Sequence, residues 1–325
     1  MEDQIFEQRT DLTALNKAVM DIRNQIKKVI IGQDEMVKLI LTAMLADGHV
    51  LIEGVPGIAK TLTAKLIARS LHAGFSRVQF TPDLMPSDVL GTPVFDPAIN
   101  GFDFKKGPVF SNIILIDEIN RAPAKTQSAL FEIMEERQAT IDGKTYLMEQ
   151  PFMVLATQNP IEQEGTYRLP EAQLDRFMLR LHMGYPSMED ERAILHDRER
   201  TDPLDQIEPV LTADEVKTLQ AMVTRVRVDE VLVDYLLKIV DATRRSEAFE
   251  LGISPRGSLA LFRSAQSMAL IEGRDYCIAD DIKRLVLPCF AHRVIVSARA
   301  SAVRNRTREA EQALVEILQT VAVPV

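Results

Sequence analysis

The sequence predicts an α/β region followed by an all-α region. Two observations carry this. Short apolar runs alternate with helix-like stretches from His49 to Leu181. Beyond Tyr185-Pro186 the apolar positions follow helical periods alone. Strands interleaved with helices imply a mostly parallel sheet with both faces covered. The chain has 325 residues, 46% hydrophobic and 26% charged, enough apolar material for a large core. We divide it near residue 186, into 1–186 and 187–325.

The elements follow in order. Leu15, Val19, Ile22, Ile26 and Val29 recur at three- and four-residue steps, the spacing of one helix face. Residues 1–48 therefore read as mostly helical. Ile31-Gly32-Gln33 interrupts the pattern, and Asp34 is placed to cap a second apolar helix towards Ala46. Asp47-Gly48 is a turn signal. His49–Ile52, Arg77–Phe80, Ile113–Ile116, Phe152–Ala156 and Phe177–Leu181 read as strands, with helices at Lys60–Leu71 and Thr126–Arg137.

The stretch Pro82–Pro108 is rich in Pro, Gly and Asp and has little periodicity. It is long for a plain connection, and long loops in compact domains tend to be functional. Gln138–Gln150 reads as a hairpin turning at Asp142-Gly143-Lys144. No strand is expected after Pro186. Glu230–Thr243, Ser258–Glu272, Ile278–Leu287 and Arg308–Val321 are the clearest helices, and residues 201–210 read as a connector.

Composition narrows the function. The formal charge of −9 argues against a general nucleic-acid binder, though not against a local basic groove. Cys277 and Cys289 are expected to be buried, reduced thiols. The five histidines are scattered and form no zinc-type constellation. MEDQIFEQRT lacks the basic and apolar regions of a secretory signal, and no run approaches about 18 apolar residues. A cytoplasmic protein is expected.

Five motifs carry chemistry. Gly54-Val55-Pro56-Gly57-Ile58-Ala59-Lys60-Thr61 follows a strand and opens a helix, the context of a phosphate-binding P-loop. Backbone N–H groups would wrap the phosphates, Lys60 would reach the β and γ oxygens, and the Thr61 hydroxyl would bind Mg²⁺. Ala59 stands where the usual pattern has Gly. Ile113–Ile116 ends in Asp117-Glu118, and carboxylates at a buried strand end need a reason. Asp117 beside Mg²⁺ and Glu118 polarising a water supply one. Asn159, in Ala156-Thr157-Gln158-Asn159-Pro160, could orient that water or the γ-phosphate. Arg176, in Leu174-Asp175-Arg176-Phe177, and Arg256, in Ser254-Pro255-Arg256-Gly257, follow; Arg168 lies in TYRLPEAQ. Arginine is always charged and forks onto phosphate oxygens.

This order of motifs, over residues 31–260, resembles the AAA+ ATPases. GVPGIAKT, IDEINRA, ATQNP, LPEAQLDRF and SPRG together resemble the MoxR family, which also favours Ala before the P-loop lysine. The resemblance implies an αβα P-loop AAA+ core and a helical lid. Gly54 to Thr61, with Leu62 next, would bind ATP, Ile31-Gly32 would lie near adenine, and Thr61 and Asp117 would serve Mg²⁺. Glu118 would be the catalytic base, Asn159 sensor 1, and Arg176 an arginine finger reaching the neighbouring subunit's ATP. Arg256 would be sensor 2, reporting γ-phosphate from the lid to its own core. Arg168 is a second candidate for a contact in trans. Residues about 85–108 would match the helix-2 insert and 138–150 the pre-sensor-1 hairpin, both facing a ring pore or a client.

The resemblance further implies a hexameric ring. It also implies a partner with a von Willebrand factor A domain, and work as a remodelling chaperone in maturation or in cofactor and metal loading. Two other readings stand beside it. One is a nucleic-acid motor or chelatase-type ATPase subunit; the other is a nucleotide-gated scaffold with negligible turnover. The chain has no GAFTGA-like loop, which disfavours a transcriptional activator.

Overall fold

The computed structural model describes residues 17, 20–22, 24–26, 30, 32–54, 60–98, 100–159, 167, 169–197, 208–297 and 306–324. The elements run α1 (Asp34–Leu45), β1 (Val50–Gly54), α2 (Lys60–Ser70), β2 (Phe75–Gln79), α3 (Pro86–Leu90), β3 (Gly91–Asp96), β4 (Gly101–Lys106) and β5 (Ile113–Asp117). They continue with α4 (Ala124–Glu136), β6 (Gln138–Ile141), β7 (Lys144–Leu147), β8 (Met153–Gln158), α5 (Glu171–Leu174) and β9 (Leu179–Met183). The later elements are α6 (Met188–Asp197), α7 (Ala213–Val223), α8 (Glu230–Arg245), β10 (Phe249–Leu251), α9 (Pro255–Ile271), α10 (Ala279–Phe290), β11 (Ile295–Val296) and α11 (Arg306–Thr320).

Strands β2, β5, β8, β1 and β9 form one parallel sheet in that order. Side chains alternate across a strand, and the sheet divides its apolar residues accordingly. Ile113 and Leu115 join one buried cluster with Val50, Ile52, Leu66 and Ile67; Ile114 and Ile116 join another with Leu51, Phe131 and Phe177. Both faces are thus covered, as expected for a parallel sheet.

The first cluster does not stop at the sheet. It continues through Ile40 and Leu41 of α1 into Tyr235, Ile239, Met268 and Leu285 of the C-terminal helices. Polar ties follow the same path: Lys38 pairs with Glu272, Ser267 Oγ donates to the Thr42 carbonyl at 2.8 Å, and Gln220 donates to the Met44 carbonyl at 2.7 Å. Helix α1 is therefore packed on the C-terminal helices as well as on the sheet. Its cap is Gln33, without a side-chain cap bond; Asp34 is the first helical residue rather than the cap.

Two further expectations are corrected. Residues 82–108 hold helix α3 and the β3–β4 hairpin. Pro93 lies within β3 and cannot donate to a ladder, which disguises the strand. Gly91 closes the hairpin base at φ 97°, where a Cβ would sit 2.1 Å from the Lys105 carbonyl oxygen. After Pro186, β10 and β11 form an antiparallel ribbon of three and two residues, too short to leave a sequence pattern. The β6–β7 hairpin turns at Asp142-Gly143, both at positive φ. Aromatic packing joins the two hairpins: Phe104 lies 4.4 Å from Tyr146 and 5.7 Å from Phe110.

Cys277 and Cys289 are free and buried. Burial pushes their thiols up to about 12 and about 11, so neither is a nucleophile near neutral pH. Among the described residues, no helix is long and apolar enough to cross a membrane.

Candidate nucleotide site

The parallel sheet brings the carboxyl ends of β5, β8 and β1 side by side, the edge where open α/β sheets bind ligands. Gly54, Lys60, Thr61, Leu62, Asp117, Glu118 and Asn159 line one cavity of about 400 Å³ there. Val55, Pro56, Gly57, Ile58 and Ala59, the middle of the P-loop motif, lie outside the described residues, as do Ile31 and Arg168.

Lys60 opens α2, and its Nζ donates to the Gly54 carbonyl at 2.6 Å. Burial lowers its pKa, opposed by the charges of Asp117, Glu118 and Glu53. Asp117 is buried at the end of an all-buried strand. It accepts a hydrogen bond from Thr157 Oγ1 at 3.2 Å and one from Arg77 Nε at 2.6 Å. Glu118 adopts a left-handed conformation at φ 57°, which costs about 1 kcal/mol in a non-glycine residue. Its own N–H donates to Thr157 Oγ1 at 3.0 Å. Its carboxylate accepts from Gln79 Nε2 at 2.9 Å and pairs with Arg121 at 3.1 Å.

The sequence marks neither Arg77 nor Gln79 as part of a site, and Thr157 only as a member of the Ala156–Pro160 motif. Arg77 and Gln79 occupy alternate positions of β2, so both point to one face, and parallel pairing with β5 delivers them to Asp117 and Glu118. The available signal was two polar residues at period two on a strand beside an acidic strand end.

The cavity offers hard oxygen donors, the Thr61 hydroxyl and two carboxylates. Magnesium takes few protein ligands and keeps waters and phosphate oxygens for the rest, so this donor set fits it.

Gly32 lines a separate cavity of about 410 Å³, between α1, β9, α10 and α11, with Met36, Leu39, Leu181 and Pro288. At its wall Arg180 pairs with Glu53 at 3.0 Å, and His182 lies 2.9 Å from Glu311.

Arg176 and Arg256 meet elsewhere. Arg176 Nε is 3.2 Å from Glu135, and Arg256 binds the same carboxylate. Their cavity, about 270 Å³, is also lined by Asp47, Gly48 and His49, which precede β1. The cavity lined by Lys60 lies at Gly54, where β1 ends. Five residue steps of extended chain separate His49 from Gly54, about 16 Å. Arg256 thus lines its cavity apart from Lys60, and the two cavities share no lining residue. The cause is its helix: Ser254, the N-cap of α9, donates to Asp175 Oδ2 at 3.4 Å, on the Arg176 segment. Glu135 and Arg293 of this cavity were also not marked by the sequence.

The fold and the cavity at Gly54 define a P-loop ATPase. Comparison with known proteins gives the particular group. The ATPase family associated with various cellular activities (AAA) matches residues 49–179, and the AAA lid domain matches residues 241–317. The chain is 45% identical to protein YeaC of Bacillus subtilis, over 96% of this chain and 95% of that one. It is 44% identical to Chaperone MoxR1 of Mycobacterium tuberculosis, over 92% and 81%. A solved structure of a candidate ATPase from Cytophaga hutchinsonii superposes with a TM-score of 0.86 at 39% identity, covering 97% of this chain and 99% of that one. The chain belongs to the MoxR family of AAA+ ATPases.

Proposed function

We propose that this chain is a Mg²⁺-dependent ATPase whose site is completed by arginines of a second copy, and that it acts as a remodelling chaperone. One observation carries the reading. Lys60, Thr61, Asp117, Glu118 and Asn159 gather at the carboxyl ends of the strands, while Arg176 and Arg256 pair near the amino end of β1.

Each residue then has a task. Lys60 would leave the Gly54 carbonyl to reach the β and γ oxygens, and residues 54–62 are assigned to the phosphates. Thr61 and Asp117 would hold Mg²⁺, which supplies charge neutralisation on the transferring phosphoryl group. Glu118 takes the proton from the attacking water once Gln79 and Arg121 release it. Asn159 orients that water or the γ-phosphate. We assign Ile31-Gly32 to the adenine. Arg176 and Arg256, presented together, stabilise charge on a neighbour's nucleotide. Arg168 stays second in line for that contact.

A head-to-tail contact whose rotation closes makes a ring, and six subunits is the family expectation. We assign residues 1–186 to the ATPase core and 187–325 to the lid, with α1 bridging them. The β3–β4 hairpin presents Phe102, 71% exposed, against Phe95 at 5.6 Å, an apolar tip suited to a protein client. Complex maturation or cofactor loading beside a von Willebrand factor A-domain partner, in the cytoplasm, is the task we propose.

The test is a pair of variants. Glu118→Gln should bind ATP as the wild type does and lose about 10²- to 10⁴-fold in turnover. Lys60→Ala should lose ATP binding itself. Wild-type turnover in Glu118→Gln would remove the assignment of the base.

A further inference from the structure

The segment carrying Arg176 is held from the other half of the chain, chiefly by one guanidinium. Arg293 lies beyond the end of α10 with a side chain only 2% exposed. Its Nε donates to Asp175 Oδ1 at 2.6 Å. Its Nη2 donates to the carbonyls of Asp175 at 3.2 Å and Phe177 at 2.7 Å. Its Nη1 donates to the Met178 carbonyl at 3.1 Å and to that of Cys289. All five donors of the guanidinium are used, and four of the five acceptors belong to residues 175–178. Next to it, His292 Nε2 bonds the Phe177 carbonyl at 2.9 Å.

Asp175 also reaches the second arginine. Ser254 Oγ donates to Asp175 Oδ2 while accepting the Gly257 N–H at 3.2 Å. The carboxylate that steadies the Arg176 segment thus also steadies the first turn of α9, which carries Arg256. Gly257 lets that turn rest on Arg293: a Cβ there would lie 3.0 Å from Arg293 Cδ and 2.7 Å from Ile253 Cγ2.

A buried ion pair adds little net stability over apolar packing, but a planar fork bonded to four acceptors of one segment fixes their geometry. Here the fixed geometry is the relative position of Arg176 and Arg256. We propose that Arg293 is a positioning residue for hydrolysis: with Asp175 and Ser254 it locks Arg176 and Arg256 into one rigid pair, presented as a unit to the nucleotide phosphates of a second copy of this chain. The inference rests on the reading that these arginines act in trans.

The test uses Arg293→Lys, which keeps the charge but has three donors and no planar fork. Its affinity for a fluorescent ATP analogue should equal the wild type's, and its turnover should fall about 10²-fold, the cost of a displacement near 1 Å. Mixing it with Glu118→Gln should restore activity that neither has alone. The Glu118→Gln subunit supplies well-held arginines to the intact P-loop of the Arg293→Lys subunit. A merely structural defect would not be rescued by mixing. Arg176→Ala mixed with Glu118→Gln is the control. If the control recovers and the Arg293→Lys mixture does not, Arg293 has no positioning role. If the control fails, the trans reading itself falls. Asp175→Asn gives an independent arm should Arg293→Lys not fold. It should show the same loss and the same rescue, and full activity in it would overturn the proposal.

Discussion

Arg176 and Arg256 share a single counter-charge, the carboxylate of Glu135, although they come from opposite halves of the chain. Two guanidiniums on one carboxylate leave a surplus positive charge in an open cavity, a place suited to a phosphate. Arg176→Ala and Arg256→Ala should each keep nucleotide affinity and lose turnover, by about 10³-fold or more for a finger. Equilibrium binding of a fluorescent nucleotide beside steady-state phosphate release separates the two effects. Weaker ATP binding in Arg256→Ala would mean that it serves its own chain's nucleotide.

Arg77 covers the carboxylate assigned to the metal. Its side chain is half-exposed, and Asp117 is nearly buried beside it. A metal must displace this guanidinium or share the carboxylate with it. An ion pair of this exposure contributes up to about 1 kcal/mol. Arg77→Gln should therefore lower the Mg²⁺ concentration that half-saturates nucleotide binding, by up to about fivefold. Titrating Mg²⁺ against the bound fluorescent nucleotide checks it. A higher requirement would show that Arg77 helps to hold the nucleotide instead.

Acid should destabilise this fold through His49. The ring is fully buried; Nε2 donates to the Met134 carbonyl at 3.1 Å, and Nδ1 accepts the Val154 N–H at 3.0 Å. Burial, with Arg137 nearby, pushes its pKa from 6.5 down to about 3. Between those values the unfolded chain binds a proton that the folded chain does not. The stability is complete above the unfolded value and falls as pH drops towards the folded one. Between about pH 7.5 and about pH 5 the loss is about 2 kcal/mol. His292, also pushed down by burial, adds to it with the same sign. Urea unfolding across this range should show a shallower slope in His49→Gln. An unchanged slope would place the acid lability elsewhere.

The parts of the site legible in sequence are those where one segment carries its own explanation. Ile113 to Asp117 is apolar to its last residue, so Asp117 had to lie at a buried strand end. Gly54 and Lys60 bound a run of residue types that reads as a phosphate loop, and both line the cavity. The parts that were not legible depend on pairing between distant segments. Arg77 meets Asp117 through the register of two parallel strands, and nothing near Arg77 announces it. Glu135 is an ordinary acid at the end of a helix until two arginines converge on it. Arg293 sits in a short turn, and its role appears only when the loop at Asp175 folds against it. The same holds for the lid, because helix α1 precedes the core in sequence yet shares an apolar cluster with the last helices.

The central claim is that hydrolysis needs a neighbour's arginines. Specific ATPase activity measured against protein concentration, with light scattering on the same samples and Glu118→Gln as the blank, tests it most directly. The account predicts that activity per chain rises as the assembly forms and is absent from the monomer. Turnover that stays constant down to concentrations where only monomer scatters would contradict it.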